Sequence, residues 1–192
     1  MENINFKGLH LIGEGGHGKV YMLDENRCIK IYKHAKDMQM EYRVLKHASG
    51  YPQFPKVYEC KDRYMIREYI DGQNIEDYIK ENGFDNDLAR ELTELINVFI
   101  KLKFTRIDIR MEEVFVTRDH KIRIVDTTRY LDKKALYPRK MFETLKRLKC
   151  YKQYMNFLKE NYSELYKDWN KKIISTSFFK PVEELKKLNL KQ

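Results

Sequence analysis

Three glycines in one short turn are the first residues that could do chemistry. Gly13, Gly15 and Gly18 lie in residues 13–20, GEGGHGKV, which match the pattern G-x-G-x-x-G-x-V. Backbone N–H groups without a Cβ nearby can approach phosphate oxygens closely. A similar pattern opens a helix in dinucleotide-binding folds, but Lys19–Leu23 after this turn are predicted to form a strand. The strand favours a flap over phosphates, with an ordinary glycine-rich hairpin as the alternative.

A lysine between two isoleucines is the second candidate. Lys30 lies in the predicted strand Cys28–Tyr32. Its ammonium must meet an anion or reach water, because an unpaired buried charge costs much free energy. The following predicted helix offers two partners, Glu41 and Asp37, and the pattern favours Glu41.

Two aspartates flank a predicted hairpin in the second half of the chain. Asp108 precedes the strand Val114–Thr117, and Asp126 directly follows the strand Ile122–Val125. One carboxylate could accept a proton from a hydroxyl group while the other holds a divalent cation on phosphates. Aspartate at a hairpin end is also ordinary turn chemistry. The joint occurrence with the glycine turn and Lys30, in this order, favours the chemical interpretation.

The hydrophobic pattern predicts the elements that must position these residues. Strands are expected at Lys7–Ile12, Lys19–Leu23, Cys28–Tyr32, Lys56–Cys60 and Tyr64–Glu68, with a helix at Ala35–His47. Beyond Gly72, helices are expected at Asn74–Glu81, Asn86–Phe104, Tyr137–Leu148, Tyr151–Glu160, Ser163–Lys172 and Pro181–Leu188. A strand-rich part followed by a helical part that holds one hairpin is an α+β arrangement with a cleft.

Composition excludes several classes of protein. Of the 192 residues, 42% are hydrophobic and 13% aromatic, which excludes a disordered chain. No run of 18 apolar residues and no cationic, apolar N-terminus is present, so we expect neither a membrane span nor a secretory signal. The three cysteines form no CxxC pair, so we predict no zinc site or disulfide framework and expect a reduced, cytoplasmic protein.

The net charge of +9 lies in the last third of the chain. Residues 129–192 hold 17 Lys and Arg against 7 Asp and Glu. A solvated helical surface explains this excess, and an anionic partner such as RNA, lipid or an acidic protein is the alternative. The aromatic residues of the same region, Trp169 among them, are predicted to pack in the core. His17, at the tip of the glycine turn, is expected to face solvent.

The order of these motifs resembles that of the protein kinase superfamily. The glycine turn comes first, Lys30 and Glu41 follow, and residues 68–72, EYIDG, resemble a hinge. Residues 106–108, RID, stand where the family has H-R-D, and residues 126–128, DTT, where it has D-F-G. The resemblance spans roughly residues 8–130, about two thirds of the chain.

The resemblance implies a two-lobed protein-kinase-like fold in one domain, 1–192. Residues 1–70 would form a small β-rich lobe and residues 71–192 a truncated helical lobe. ATP would bind between them, with its phosphates under the glycine turn and Val20, its adenine at the backbone of Glu68 and Ile70, and Lys30, held by Glu41, at the α- and β-phosphates. Asp108 would orient or deprotonate the acceptor hydroxyl, Arg110 would steady the transferred phosphoryl group, and Asp126 and Glu113 would bind Mg²⁺ or Mn²⁺.

The sequence departs from the family pattern at several of these positions. Arg106 replaces the histidine, Glu113 replaces the metal-binding asparagine, and residues 127–128, TT, replace Phe-Gly. Arg67 stands before the hinge where an apolar residue is usual, and if it points inward it could compete with Lys30 for Glu41.

The end of the chain is short for this family. No A-P-E motif follows Asp126, and only 66 residues remain, as in the RIO and KEOPS-complex kinases and short bacterial serine/threonine kinase-like proteins. We therefore predict an ATP-dependent serine/threonine-type phosphotransferase acting on a protein or small-molecule hydroxyl acceptor. A pseudokinase that serves as a nucleotide-binding or regulatory module is the alternative.

Overall fold

The computed structural model describes residues 8–178, and the strands within them form two antiparallel sheets. The first sheet contains β1 (Leu11–Glu14), β2 (Gly18–Met22), β3 (Arg27–Tyr32), β4 (Val57–Lys61) and β5 (Tyr64–Glu68), in the order β1-β2-β3-β5-β4. The second contains β6 (Gly72–Asn74), β7 (Val114–Thr117) and β8 (Ile122–Ile124), in that order. With the helices, these sheets confirm the predicted mixed α+β fold class.

One helix lies in the chain between two strands of the first sheet, and the other helices follow β6. Helix α1 (Ala35–His47) connects β3 to β4, and a 3₁₀ turn, Met111–Glu113, leads into β7. The remaining helices are α2 (Ile75–Asn82), α3 (Asn86–Lys101), α4 (Arg139–Arg147), α5 (Tyr151–Asn161) and α6 (Ser163–Phe178). Side chains cap two of them: Asn74 accepts from Glu76 N–H at α2, and Asp85 from Leu88 N–H at α3.

Lys30 lies on the central strand of the first sheet and is buried. Strand β3 pairs with β2 on one side and β5 on the other, and Lys30 lies opposite Val20 and Met65. Its side chain points out of the plane of the sheet, and the residue is only 4% exposed. Such a side chain needs a partner within the protein.

Several predicted element boundaries were wrong. Strand β1 begins at Leu11 instead of Lys7, because Gly8 adopts a left-handed conformation (φ +98°) that no strand accommodates. Helix α3 ends at Lys101 instead of Phe104, since Lys103 also has a positive φ. Helix α4 begins after Pro138, whose ring disfavours helical backbone at the residue before it. Helix α6 continues past Lys172 to Phe178, and the predicted helix Pro181–Leu188 lies outside the described residues.

The sequence did not indicate strand β6, which has three residues. Its Gly72 lies so close to β7 that a Cβ would fall 2.7 Å from the carbonyl oxygen of Val116. Glycine is therefore required for the backbone to pair here.

The hydrophobic core extends from Tyr32 in β3 to Trp169 in α6. Trp169 and Tyr154 are fully buried and Phe157 nearly so, which confirms that these aromatic residues pack in the core. Within residues 8–178, no helix combines the length and the apolar composition that crossing a membrane requires.

Candidate functional site

Lys30 joins three separate segments of the chain through one ammonium group. Its Nζ lies 2.6 Å from Oε2 of Glu41 on α1 and 3.2 Å from Oδ2 of Asp126, which follows β8. The Lys30–Glu41 pair expected from the pattern is thus present. The alternative partner, Asp37, instead lies 3.1 Å from Nδ1 of His17. His17 keeps 32% of its side-chain exposure, so it faces solvent in part, as expected, but it is also paired with Asp37.

Arg67 points inward and binds the other oxygen of Glu41. Its Nη1 donates to Oε1 of Glu41 over 2.6 Å, and both side chains are buried. Arg67 therefore does not displace Lys30, because each cation takes one carboxylate oxygen. Burial alone would lower the pKa of Arg67, but the surrounding negative groups, Glu41 foremost among them, together raise it, so the guanidinium stays charged.

Thr128 completes this arrangement from the segment after β8. Its backbone N–H and hydroxyl donate to Oδ1 of Asp126 over 3.1 and 2.8 Å, and its hydroxyl lies 3.2 Å from Oε2 of Glu41. Burial would raise the pKa of Asp126, but the charge of Lys30 and the two hydrogen bonds from Thr128 hold it at about 2. We call Lys30, Glu41, Arg67, Asp126 and Thr128 the lysine cluster; it contains two cations and two carboxylates.

The two other predicted carboxylates, Asp108 and Glu113, lie in a different environment. We call them the loop carboxylates, because both belong to the segment between α3 and β7. Glu113 accepts a hydrogen bond of 2.9 Å from the hydroxyl of Tyr130, and Nε of Arg110 lies 3.9 Å away. Burial, and then the charge of Asp126, raise the pKa of Glu113 to about 7.

Asp108 is buried and bound to the backbone at the start of α4. Its Oδ1 accepts the N–H of Lys140 over 2.6 Å. Burial raises the pKa of Asp108, against this hydrogen bond and the charges of Arg106 and Arg139. Among the described residues, no hydrogen bond or ion pair connects Asp108 to the lysine cluster or to Glu113. The structure therefore brings Lys30, Glu41 and Asp126 together, while Asp108 stays apart from them.

The glycine turn contains glycines of two kinds. A Cβ on Gly18 would lie 2.0 Å from the carbonyl oxygen of Ile31, so the pairing of β2 with β3 itself requires glycine. A Cβ on Gly15 would meet nothing within 4 Å, and one on Gly13 only Val20 at 3.9 Å. The protein's own packing does not require glycine at these two positions. An uncovered backbone is the property that close approach by a phosphate needs.

A cavity of about 220 Å³ lies beside the glycine turn. Gly13, Val20, Glu68 and Ile70 line it together with Ile12, Cys28, Pro55, Arg67, Tyr69, Phe115 and Val125. The backbone N–H of Glu68 is bound to the carbonyl of Lys56, and its carbonyl accepts a weak hydrogen bond of 3.8 Å from the thiol of Cys28. A larger depression of about 760 Å³ lies between the end of α1 and β4, and Glu68 is the one predicted site residue in its lining.

Two contacts of the site were not predicted from the sequence. Arg123 on β8 binds both carboxylate oxygens of Glu68, at 2.6 and 2.8 Å, and so links the second sheet to the first. Tyr130 orients Glu113, and its ring lies 5.1 Å from the guanidinium of Arg106. Neither contact has a local sequence signal, because the partners are 55 and 17 residues apart.

The carboxylates of Asp126 and Glu113 could bind a magnesium ion that takes its other ligands from phosphates and water. Among the described residues, no group of three or more His, Cys, Asp and Glu could hold a metal ion. Mg²⁺ in nucleotide sites uses one or two carboxylates and takes its other ligands from phosphates and water. The charge of Asp126 acts on Glu113, and such a pair of carboxylates suits this pattern.

The three cysteines are free thiols.

Many cations of the basic last third are already paired at the surface. The structure shows ion pairs of Arg139 with Glu143, Lys167 with Glu164, Lys172 with Asp168 and Arg147 with Glu76. Such exposed pairs fit a solvated helical surface. Binding of RNA or an acidic partner there stays a prediction.

Two curated bacterial proteins are similar to part of this chain, and no protein-family model matches it. Their names describe them as a putative and a probable serine/threonine-protein kinase. YrzF of Bacillus subtilis is 23% identical over 128 residues, which cover 64% of this chain and 60% of YrzF. The protein of Clostridium acetobutylicum is 26% identical over 136 residues, which cover 60% of this chain and 21% of that protein. The chain therefore spans less than two thirds of either relative.

Among solved structures, that of WbdD is similar to this chain with a TM-score of 0.49 and 14% identity. The match covers 61% of this chain and 31% of WbdD. This likeness is too low to support an argument about the fold or the reaction. The curated relatives agree with the kinase-like order of motifs.

Proposed function

We propose that this chain binds ATP with Mg²⁺ or Mn²⁺ and transfers the γ-phosphate to a hydroxyl group of a protein or small molecule. The observation that carries the proposal is the buried ammonium of Lys30, which is held by Glu41 and Asp126. Glu41 also binds Arg67, a residue of the cavity lining. The names of the two curated relatives agree with a serine/threonine-type kinase. We further propose that residues 1–70 and 71–192 are the two lobes of one domain.

The phosphate-binding part of the proposal rests on donors that can change partners. The contact of 3.2 Å between Lys30 and Asp126 is longer than its contact of 2.6 Å with Glu41. An arriving phosphate can therefore compete with Asp126 for the ammonium while Glu41 continues to orient it. Gly13 and Gly15 expose backbone that can approach the same phosphates.

The base-binding part of the proposal rests on the cavity of about 220 Å³. Val20 and Ile70 supply apolar surface to a planar base, and backbone groups at Glu68 and Ile70 can supply hydrogen bonds. Small-molecule sites commonly combine mostly apolar walls with a few polar groups that fix orientation.

The transfer part of the proposal assigns Asp108 to the acceptor. Its raised pKa favours accepting a proton from a hydroxyl group, because a carboxylate with a higher pKa is a stronger base. Arg110 lies beside Glu113 and could bind the transferred phosphoryl group. Asp126 and Glu113 would hold the metal ion, which neutralises charge on the phosphate oxygens.

Calorimetric titration of the purified protein with ATP tests the proposal. We expect binding that requires Mg²⁺ or Mn²⁺ and that is lost in Lys30→Ala and Asp126→Ala. Lys80→Ala is the control, since Lys80 on α2 is half-exposed and pairs with the exposed residue Asp77. Absence of ATP binding to the wild-type protein at millimolar nucleotide and metal would reject the proposal.

A pseudokinase that binds nucleotide for a regulatory purpose is the second candidate function. Two observations favour it: Glu113 adds a carboxylate where the family has a neutral asparagine, and Asp108 is already bound to Lys140 N–H. Phosphoryl transfer that disappears in Asp108→Asn would exclude this candidate. Metal-dependent ATP binding without transfer to any hydroxyl acceptor or to water would favour it.

A further inference from the structure

Thr128 lies between two carboxylates that would otherwise repel each other. Asp126 and Glu41 come from different segments, and both contact the same ammonium of Lys30. The Thr128 hydroxyl also lies near both carboxylates, 2.8 Å from Asp126 Oδ1 and 3.2 Å from Glu41 Oε2. Lys30 and Thr128 thus each contact both acids.

The hydroxyl of Thr128 can serve only one carboxylate at a time. A threonine hydroxyl carries a single hydrogen, and the shorter distance indicates that Asp126 receives it in this state. The backbone N–H of Thr128 donates to the same oxygen, so Asp126 Oδ1 receives two donors from Thr128. These donors do not depend on Lys30, which contacts the other oxygen, Oδ2.

Asp126 would lose a donor when Lys30 turns toward a phosphate, because Glu41 continues to hold the ammonium. A largely buried carboxylate that lacks donors is costly. The two donors of Thr128 would then be the hydrogen bonds that keep Asp126 in its orientation.

We propose that Thr128 is a positioning residue that fixes Asp126 Oδ1 through its hydroxyl, so that Asp126 keeps its orientation when Lys30 turns from it to a phosphate. The proposal rests on the proposed function, because it assigns Thr128 a part in metal-nucleotide binding through Asp126. Thr128 stands where the family pattern has glycine, which offers no hydroxyl for such a hydrogen bond.

Two neighbouring threonines make a matched experiment possible. Thr127 is also fully buried, but its hydroxyl has no hydrogen-bond partner among the described residues. Thr128→Val and Thr127→Val remove the same group from adjacent positions and keep the side-chain shape. Thr128→Ser keeps the hydroxyl and serves as the conservative variant.

The first measurement is the affinity of the full chain for ATP with and without Mn²⁺. We expect Thr128→Val to weaken the Mn²⁺-dependent affinity by roughly 10- to 100-fold, the usual cost of losing a residue that orients a metal ligand. Thr128→Ser should stay within about threefold and Thr127→Val should not change, since neither removes a hydrogen bond. Equal Mn²⁺-dependent affinities in Thr128→Val and the wild type would overturn the proposal.

The second measurement is amide hydrogen exchange of residues 126–130 without nucleotide, which separates this proposal from the proposed function. We expect faster exchange of this segment in Thr128→Val than in Thr127→Val, because the hydroxyl bond to Asp126 is lost. If the wild-type protein binds no ATP but this difference is present, the proposed function fails and the positioning role stands. If the segment exchanges equally in the two valine variants, the hydroxyl does not fix Asp126 and the proposal is wrong.

Discussion

The lysine cluster and the loop carboxylates shift the pKa of a buried carboxyl group in opposite directions. In the lysine cluster, donors from Lys30 and Thr128 hold the pKa of Asp126 at about 2 despite burial. Among the loop carboxylates, burial prevails and raises the pKa of Glu113 to about 7. The difference lies in how many donors each carboxylate receives, and it divides the site into a part suited to bind anions and a part suited to exchange protons.

The departures from the kinase pattern follow the same division. Arg67 and Thr128 both add donors to the lysine cluster, where they balance the charges of Glu41 and Asp126. Glu113 instead adds an acid to the other part, near Asp126. The part proposed to bind nucleotide therefore gains donors, while the part proposed to transfer the phosphate gains an acid.

The largest effect should come from breaking the lysine cluster at its centre. Glu41→Gln keeps the side-chain size but leaves Lys30 and Arg67 without their shared carboxylate. Removal of one partner from a buried ion pair costs about 3–5 kcal/mol, so we expect the free energy of unfolding in urea to fall by that amount. Glu143→Gln, in the exposed pair with Arg139, should cost about 0.5 kcal/mol or less. Equal losses in the two variants would contradict a special role of the cluster.

A second prediction separates transfer from binding. Asp108→Asn keeps an oxygen that can accept the N–H of Lys140 but cannot take a proton from a hydroxyl. We expect the rate of phosphoryl transfer to fall by roughly 100-fold or more, with ATP affinity unchanged within about threefold because Asp108 contacts no residue of the lysine cluster. Asp119→Asn, in the exposed turn between β7 and β8, is the control. A parallel loss of binding and transfer would show that the two regions are not separable.

A third prediction concerns the pH dependence of stability in the metal-free protein. Glu113 has a raised pKa of about 7 when folded, so its protonated form is favoured by folding. This contribution is fully present below the unfolded pKa near 4.5 and is lost as the pH rises through 7. We expect the wild type to lose on the order of 1–3 kcal/mol relative to Glu113→Gln between pH 5 and pH 8.

Urea unfolding in a chelator at several pH values measures this difference. Glu112→Gln, the exposed neighbour, should give a curve parallel to that of the wild type. The metal-free reference matters, since a bound cation would favour the ionised carboxylate. If the Glu113→Gln curve is also parallel, Glu113 does not have the raised pKa that the comparison assigns to it.

The smallest effect should come from the hydroxyl that orients Glu113. Tyr130→Phe removes its hydrogen bond to Glu113 and should cost about 1 kcal/mol of stability. Because this bond lowers the pKa of Glu113, the variant should also shift the pH-dependent loss of stability to higher pH. Tyr154→Phe, which loses a buried bond to Thr93, should lose similar stability without any shift. Identical pH profiles in the two variants would contradict the role of Tyr130.

Local sequence patterns predicted most of the helices and strands, and three of the five residues of the lysine cluster: Lys30, Glu41 and Asp126. The helical spacing of apolar residues gave Ala35–His47 without error, and alternation gave Tyr64–Glu68 and Val114–Thr117. The Lys30–Glu41 pair was predictable because a strand lysine and an acid on the next helix are close in sequence. Boundaries failed where a positive φ, as at Gly8 and Lys103, ended an element against its hydrophobic pattern.

Long-range contacts were not predictable in the same way. The inward direction of Arg67 depends on packing between β5 and α1, which the sequence left open. The bidentate pair of Arg123 with Glu68 and the bond from Tyr130 to Glu113 depend on how the two sheets and their loops close. Turn chemistry and charge gave no reason to choose these partners over others. Specific pairing at this distance is a property of the assembled fold.

The cavity beside the glycine turn has a charged, paired side chain, Arg67, in its otherwise mostly apolar lining, and this would affect the design of compounds for the proposed nucleotide site. Arg67 lines the cavity and is held by Glu41, so an inhibitor extended inward past the base would have to break a buried charge pair or bury apolar atoms against it. Compounds that fill a deep apolar pocket should therefore bind poorly. Compact heterocycles that stop at the hinge residues Glu68–Ile70, or that place an acceptor toward Arg67, are the better starting scaffolds for a chemical probe of this protein.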